Sequence, residues 1–225
     1  MTNSKPSFTE ILVLVLIAAM IVVGYLLMWF NKPAFLFYVD EDSVVEWLTV
    51  VGLLAASFLC FYRVIKLFRS KKWIFLLVTF FAGLVLFGGA GEEVSWGQRM
   101  FNITPPEYFE KNNTQQEMNF HNLEVGGVKI NTLIFSVGLT VFFAIFLLVM
   151  PVVYRKNKGI KNWIDSWGIP LPKTYQVISF LLVFALTTLM RNEKSDELFE
   201  CGIAAMIFLV LYAPLNSYIY KKNVY

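Results

Sequence analysis

Between Gly91 and Asn122 the chain reads GEEVSWGQRMFNITPPEYFEKNNTQQEMNFHN. This stretch gathers Glu92, Glu93, Ser95, Gln98, Arg99, Glu117, Asn119 and the only histidine, His121. Carboxylates and an imidazole at short spacing are the residue types of proton transfer and of hard or borderline metal binding. Glu117 and His121 stand four residues apart, which on a helix puts both on one face within reach of one ion or one proton. Glu93, Glu117 and His121 are therefore the candidate acid/base groups. Glu92, Glu93, Glu117 and His121 are the candidate ligands of one divalent metal such as zinc, manganese or iron. Arg99, with Gln98, Ser95 and Asn119, supplies donors that would hold an anionic substrate group.

Each of these residues also has a plainer reading. Two carboxylates directly after LVLFGGAG are costly unless paired, metal-bound or wet. If the preceding helix continues, Glu92, Ser95, Trp96 and Arg99 share a face, and Glu92 with Arg99 forms a structural ion pair at a membrane surface. Thr104-Pro-Pro-Glu107 predicts a helix start, with Thr104 as cap, Pro105 at the first helical position and Glu107 closing a capping box. Thr114-Gln-Gln-Glu117 repeats the pattern and predicts a second short helix through His121, in which capping alone accounts for Glu117. Ser43-x-x-Glu46 fits the same box. A lone histidine among asparagines also serves as a hydrogen-bonding structural residue.

Named chemistries fit poorly. The H-E-x-x-H spacing is absent, and one histidine cannot supply a His₃ or His₂Glu zinc site. The di-iron pattern needs Glu-x-x-His twice, whereas this chain has Glu-x-x-x-His once. Glu93-Val-Ser95-Trp-Gly97 departs from the G-x-S-x-G elbow at its first position, and no strand precedes it. The pair Glu92-Glu93 also occurs in intramembrane CAAX-type proteases, but their arginine spacing and two further histidines are not matched. The strings EEVSWGQR and QQEMNFHN are similar to a pattern of uncharacterised bacterial multi-pass inner-membrane proteins, E-E-x-S-W-G-Q-R followed by E-x-N-x-H-N. That resemblance covers Glu92 to Asn122 only and implies no activity.

The elements that must position these residues are written in the composition. Of 225 residues, 57% are hydrophobic and 16% charged, too apolar for a soluble domain of this length. Uncharged runs recur at about the 20-residue length that crosses a bilayer core. They are continuously apolar rather than alternating, which points to helices and away from a β-barrel. Six transmembrane helices are predicted, near Ile11–Phe30, Ser43–Ile65, Trp73–Ala90, Thr132–Tyr154, Thr174–Met190 and Leu198–Tyr218. Residues 91–131 form a polar cap of short helices between the third and fourth, and a connector with Trp163 and Trp167 lies at the interface.

Alternate placement of the connections puts thirteen lysines and arginines on one face and six on the other, while fourteen of the sixteen acids oppose the basic face. Basic residues collect on the cytoplasmic side, so both termini are expected there and the cap on the outer face. Cys60 and Cys201 fall near opposite faces, too far apart to bridge, and read as packing residues. The middles of the apolar runs hold almost no ionisable residue, which argues against a proton-coupled transporter. No basic stripe suggests nucleic acid.

The expectation is an all-α protein of the bacterial inner membrane, forming one polytopic domain over residues 1–225, with the lipid bilayer as its constant partner. Two roles stay open. One is an enzyme acting at the outer leaflet on a lipid or lipid-linked substrate. The other is a non-catalytic subunit, sensor or assembly factor whose polar cap is structural or docks a membrane partner protein.

Overall fold

The computed structural model describes residues 5–130 and 138–222, and within them the protein is predominantly helical. Helix α1 spans Phe8–Phe30, α2 Lys32–Tyr38, α3 Val44–Leu67 and α4 Trp73–Glu93. The polar segment contributes two short helices, α5 (Gln98–Phe101) and α6 (Glu107–Asn112), and a hairpin of β1 (Glu124–Val125) and β2 (Val128–Lys129). Next come α7 (Leu139–Phe143), a π turn over Ala144–Val149, and α8 (Met150–Lys156), which run on as one span. The π turn lies just before Pro151, whose ring and missing N–H disturb the helical ladder there. Helices α9 (Lys158–Ser166), α10 (Thr174–Leu189) and α11 (Asp196–Tyr212) complete the chain.

Four of these spans, 8–30, 44–67, 73–93 and 139–156, are long and apolar enough to cross a membrane. At 1.5 Å per residue, the 16 residues of α10 and 17 of α11 fall somewhat short of a bilayer core of about 30 Å. The last predicted helix stops at Tyr212 rather than Tyr218 because Pro214 cannot continue it and disfavours the helical conformation at Ala213. Residues 132–137 of the fourth predicted span lie outside the described residues.

Helix α3 is the central element and packs on α4 and α11, while α1 lies against α2, α10 and α11. Small residues permit the close approach, as expected where lipid supplies no hydrophobic drive between helices. Gly83 of α4 faces Phe61 and Cys60 of α3, and Ser57 donates to the Gly83 carbonyl at 2.8 Å. Gly52 of α3 abuts Ala204 of α11. The main core joins Ile17, Ile21, Phe35, Val45, Val183, Leu198 and Cys201. Both cysteines are buried and free.

The packing sorts charge between the two ends of the bundle. At one end Lys173 pairs with Glu10 at 2.9 Å, and Lys161 with Asp165 at 2.7 Å. At the other, Asp40 pairs with Lys194, and the polar segment folds against the ends of α3 and α4.

Candidate functional site

The site starts with a broken helix. Helix α4 runs three residues beyond the predicted Ala90 and ends at Glu93; Ser95, Trp96 and Gly97 then take positive φ values of 46°, 55° and 80°. Left-handed backbone is cheap only for glycine. Ser95 and Trp96 hold it because each is bonded in place. The Trp96 ring lies over Gly91, where any Cβ would come within 2.9 Å of it, and its Nε1 donates to Glu92 at 2.7 Å. The expectation that Glu92, Ser95, Trp96 and Arg99 share one continuous helical face is corrected by this break. Glu92 accepts from Trp96 and from the Phe120 amide at 2.5 Å, and does not pair with Arg99.

Arg99 turns instead to carboxylates from other parts of the chain. Its Nη2 reaches Glu46 of α3 and its Nη1 reaches Glu117, each at 2.7 Å, while its Nε donates to Asp42 at 3.2 Å and Glu41 lies 3.9 Å away. Burial opposes the guanidinium charge, but the Glu117 hydrogen bond and the charges of Glu117 and Glu46 outweigh it and hold its pKa above the ordinary arginine value. Burial raises the Glu41 carboxyl, helped by the charge of Glu117 and opposed by Arg99.

Around Glu117 every polar atom has a use. Glu117 Oε1 accepts from Arg99, and Oε2 accepts from the Ser95 hydroxyl and from Asn119 Nδ2 at 2.9 Å. Asn119 Nδ2 also donates to Ser95 Oγ at 2.8 Å, and its Oδ1 accepts from Asn113 Nδ2 at 2.9 Å and the Asn122 amide at 3.1 Å. Both lone pairs and both donors of Asn119 are therefore spent. Ser95 is 0%, Asn119 3% and Glu117 6% exposed, so this network is internal. Gln98 clips the same loop from outside, with Nε2 donating to the Gln116 carbonyl at 3.2 Å and Oε1 accepting the Met118 amide at 2.6 Å.

The second predicted helix is absent. Residues 113–123 form turns, closed by the Asn113↔Leu123 bridge, in which Asn113 Oδ1 accepts the Gln115 and Glu117 amides. Asparagine favours such side-chain-to-backbone turns, and here it takes over the role assigned to Thr114. The first short helix begins at Glu107 with Pro106 as its cap residue and no side-chain cap, so Thr104 does not close a box. Ser43 does cap α3 through the Glu46 amide, but the Glu46 carboxylate reaches the Asp42 amide and Arg99 rather than Ser43.

Without a helix, the shared face of Glu117 and His121 disappears. Glu117 points into the Arg99–Ser95–Asn119 network, whereas His121 lies within electrostatic reach of Glu92. Burial lowers the imidazole pKa below its usual 6.5, and the Glu92 charge partly restores it. Glu93 faces the bundle instead, in the electrostatic neighbourhood of Glu46, Glu197 and Glu200. The carboxylates of Glu93, Glu197 and Glu200 have no hydrogen bond or ion pair among the described residues. The predicted ligands Glu92, Glu93, Glu117 and His121 thus divide among three directions, and among the described residues no three His, Cys, Asp or Glu side chains are placed to hold one metal ion.

Asp42, Glu41 and Asn113 are the members that sequence reasoning missed. The acidic run Asp40-Glu41-Asp42, in the connection between the first two predicted spans, is the sequence signal that marks Asp42 and Glu41. Nothing local marks Asn113. Comparison of the chain with protein-family models, curated proteins and solved structures finds no match.

Proposed function

We propose that this is a six-span protein of the bacterial inner membrane, with cytoplasmic termini, whose outer polar cap is a structural clasp and docking surface. The protein then acts as a non-catalytic subunit, sensor or assembly factor. One observation carries this reading: Arg99, Glu117, Ser95 and Asn119 spend their hydrogen-bonding capacity on each other and on Glu46. A substrate-binding arginine needs a free fork, and a nucleophilic or basic group needs access. The cap also exposes Trp96, Met100, Phe101, Ile103, Tyr108 and Phe120. Outside a span, such a set of large apolar side chains suits the headgroup layer or a partner protein.

The second reading, an enzyme acting on a lipid-linked substrate, is favoured by the unpaired acids. Glu93, Glu197 and Glu200 lie within electrostatic reach of one another at the end of the bundle beneath the cap, with Lys194 as a counter-charge to Glu197, and neighbouring carboxylates of this kind are characteristic of acid/base centres.

Substitution in the host, combined with capture of associated membrane proteins by cross-linking, separates the readings. For a docking clasp, Phe101→Ala and Phe120→Ala abolish a specific cross-link while Glu93→Gln leaves cross-linking and phenotype intact. A Glu93→Gln variant that folds and cross-links normally yet loses the cellular phenotype would overturn the clasp reading in favour of the enzyme.

A further inference from the structure

At the end of the bundle opposite the polar segment, the last turn of α3 and the following turn border a groove of about 510 Å³. Its lining includes Lys66, Arg69, Ser70 and Lys222, with Ile65 and Phe68 beside them. Arg63, one turn deeper along α3, brings the C-terminal segment here. Its guanidinium lies 3.6 Å over the Tyr220 ring and donates to the Leu211 carbonyl at 2.5 Å. Tyr220 in turn donates to the Gly168 carbonyl and packs on Phe75. Lys222 is thereby held near the end of α3, two residues beyond this anchored ring.

Among the described residues, the groove's cations are not matched by carboxylates. The carboxylate side chains of Glu10 and Asp165 are both occupied, Glu10 by Lys173 and Tyr175 and Asp165 by Lys161, Tyr154, Tyr218 and Asn216. Lys66, Arg69 and Lys222 have no carboxylate partner among the described residues, and buried Arg63 has none either. Arg63 Nη1 lacks any hydrogen-bond partner among them. Three cations converging without a counter-ion repel one another unless an anion joins them. Ile65 and Phe68 are 78% and 69% exposed beside these cations, at the end of a helix long enough to cross a membrane. Cations next to exposed hydrocarbon match an amphiphile with a negative head better than a free ion.

We propose that this groove binds an anionic phospholipid, with Lys66, Arg69 and Lys222 around its phosphate and Ile65 and Phe68 against its acyl chains. The site is independent of the polar segment and of the function proposed for it.

Native mass spectrometry of the full-length protein in detergent tests the site, with dioleoyl phosphatidylglycerol, dioleoyl phosphatidylcholine and inorganic phosphate as probes. The expected result is preferential retention of phosphatidylglycerol over phosphatidylcholine. The Arg69→Ala/Lys222→Ala double variant reduces that retention about 25-fold, at roughly fivefold per cation. The charge-keeping Arg69→Lys/Lys222→Arg variant retains the preference, which separates lost charge from lost folding. Lys111→Ala, a charge removed from the polar segment, leaves it unchanged. Equal retention of the two lipids overturns the proposal, as does an Ala/Ala variant that binds as the wild type does. Displacement of phosphatidylglycerol by inorganic phosphate alone would assign the groove to a free anion and overturn it as well.

Discussion

Replacing Arg99 by glutamine should destabilise the protein by about 3 kcal/mol, a magnitude that follows from its contacts. The guanidinium makes two direct carboxylate bonds at 2.7 Å, to Glu46 and Glu117, whose side chains are only 7% and 8% exposed. Hydrogen bonds to charged groups contribute roughly 1.5–3 kcal/mol each, and removing one partner of a fully buried ion pair costs about 3–5 kcal/mol. Two features place Arg99 toward the lower end. Its own side chain is 20% exposed, so water can reach part of the gap, and the bonds to Asp42 and Glu41 involve exposed carboxylates worth little each. For a chain of this size a loss of about 3 kcal/mol lowers Tm by roughly 6–12 °C. Glu117→Gln keeps the shape of the network but loses its charge and should cost about half as much. Because both changes act on one bond, the double variant should lose at least about 1 kcal/mol less than the sum of the singles. Thermal unfolding of the detergent-solubilised protein, followed by circular dichroism at constant salt, measures all three. An Arg99→Gln effect below about 0.5 kcal/mol, or simple additivity, would refute the claim that these residues form one clasp.

Two further predictions address the same segment. His121 is the only histidine, so its imidazole NMR titration is unambiguous. Its folded pKa should lie below 6.5, because burial disfavours the cation, and Glu92→Gln should lower it further by removing the favourable charge. The unfolded chain then takes up the proton first on acidification, so the stability due to neutral His121 is present above the ordinary value near 6.5 and is lost as pH falls through the lower folded value. A pKa at or above 6.5, or a rise in Glu92→Gln, contradicts this. Gly91→Ala should cost about 1–3 kcal/mol by forcing a methyl group against the Trp96 ring, whereas Gly88→Ala, which meets no atom within 4 Å, should be neutral or mildly stabilising by about 0.5 kcal/mol. Equal melting temperatures for the two variants would remove Trp96 as a packing element.

What the sequence determined by itself was the class of molecule and the place of its polar segment. A run of some 20 apolar residues has one low-energy home whatever surrounds it, so hydropathy located α1, α3 and α4 and the existence of a helix ending near Tyr154. Breakers mark helix ends in the same local way, and Pro214 sets the end of the last helix at Tyr212. The crowding of Glu, Arg, Asn and His between Gly91 and Asn122 was equally legible, because it is composition. Partner choice was not. Helical spacing joined Glu92 to Arg99, but Ser95 and Trp96 leave the helix through backbone conformations held by the tertiary bonds of Ser95 to Glu117 and Asn119 and by the Trp96 ring bonding Glu92 and packing on Gly91. A capping pattern made a helix of residues 114–121, yet Asn113, fixed through Asn119, offered the backbone a competing turn. Arg99 found Asp42 and Glu46 more than fifty residues upstream because the packing of α3 on α4 brings their ends together. Burial is a local property of a run of residues and can be read one segment at a time. An ion pair depends on where distant segments meet, and in this protein only the helix bundle decided that.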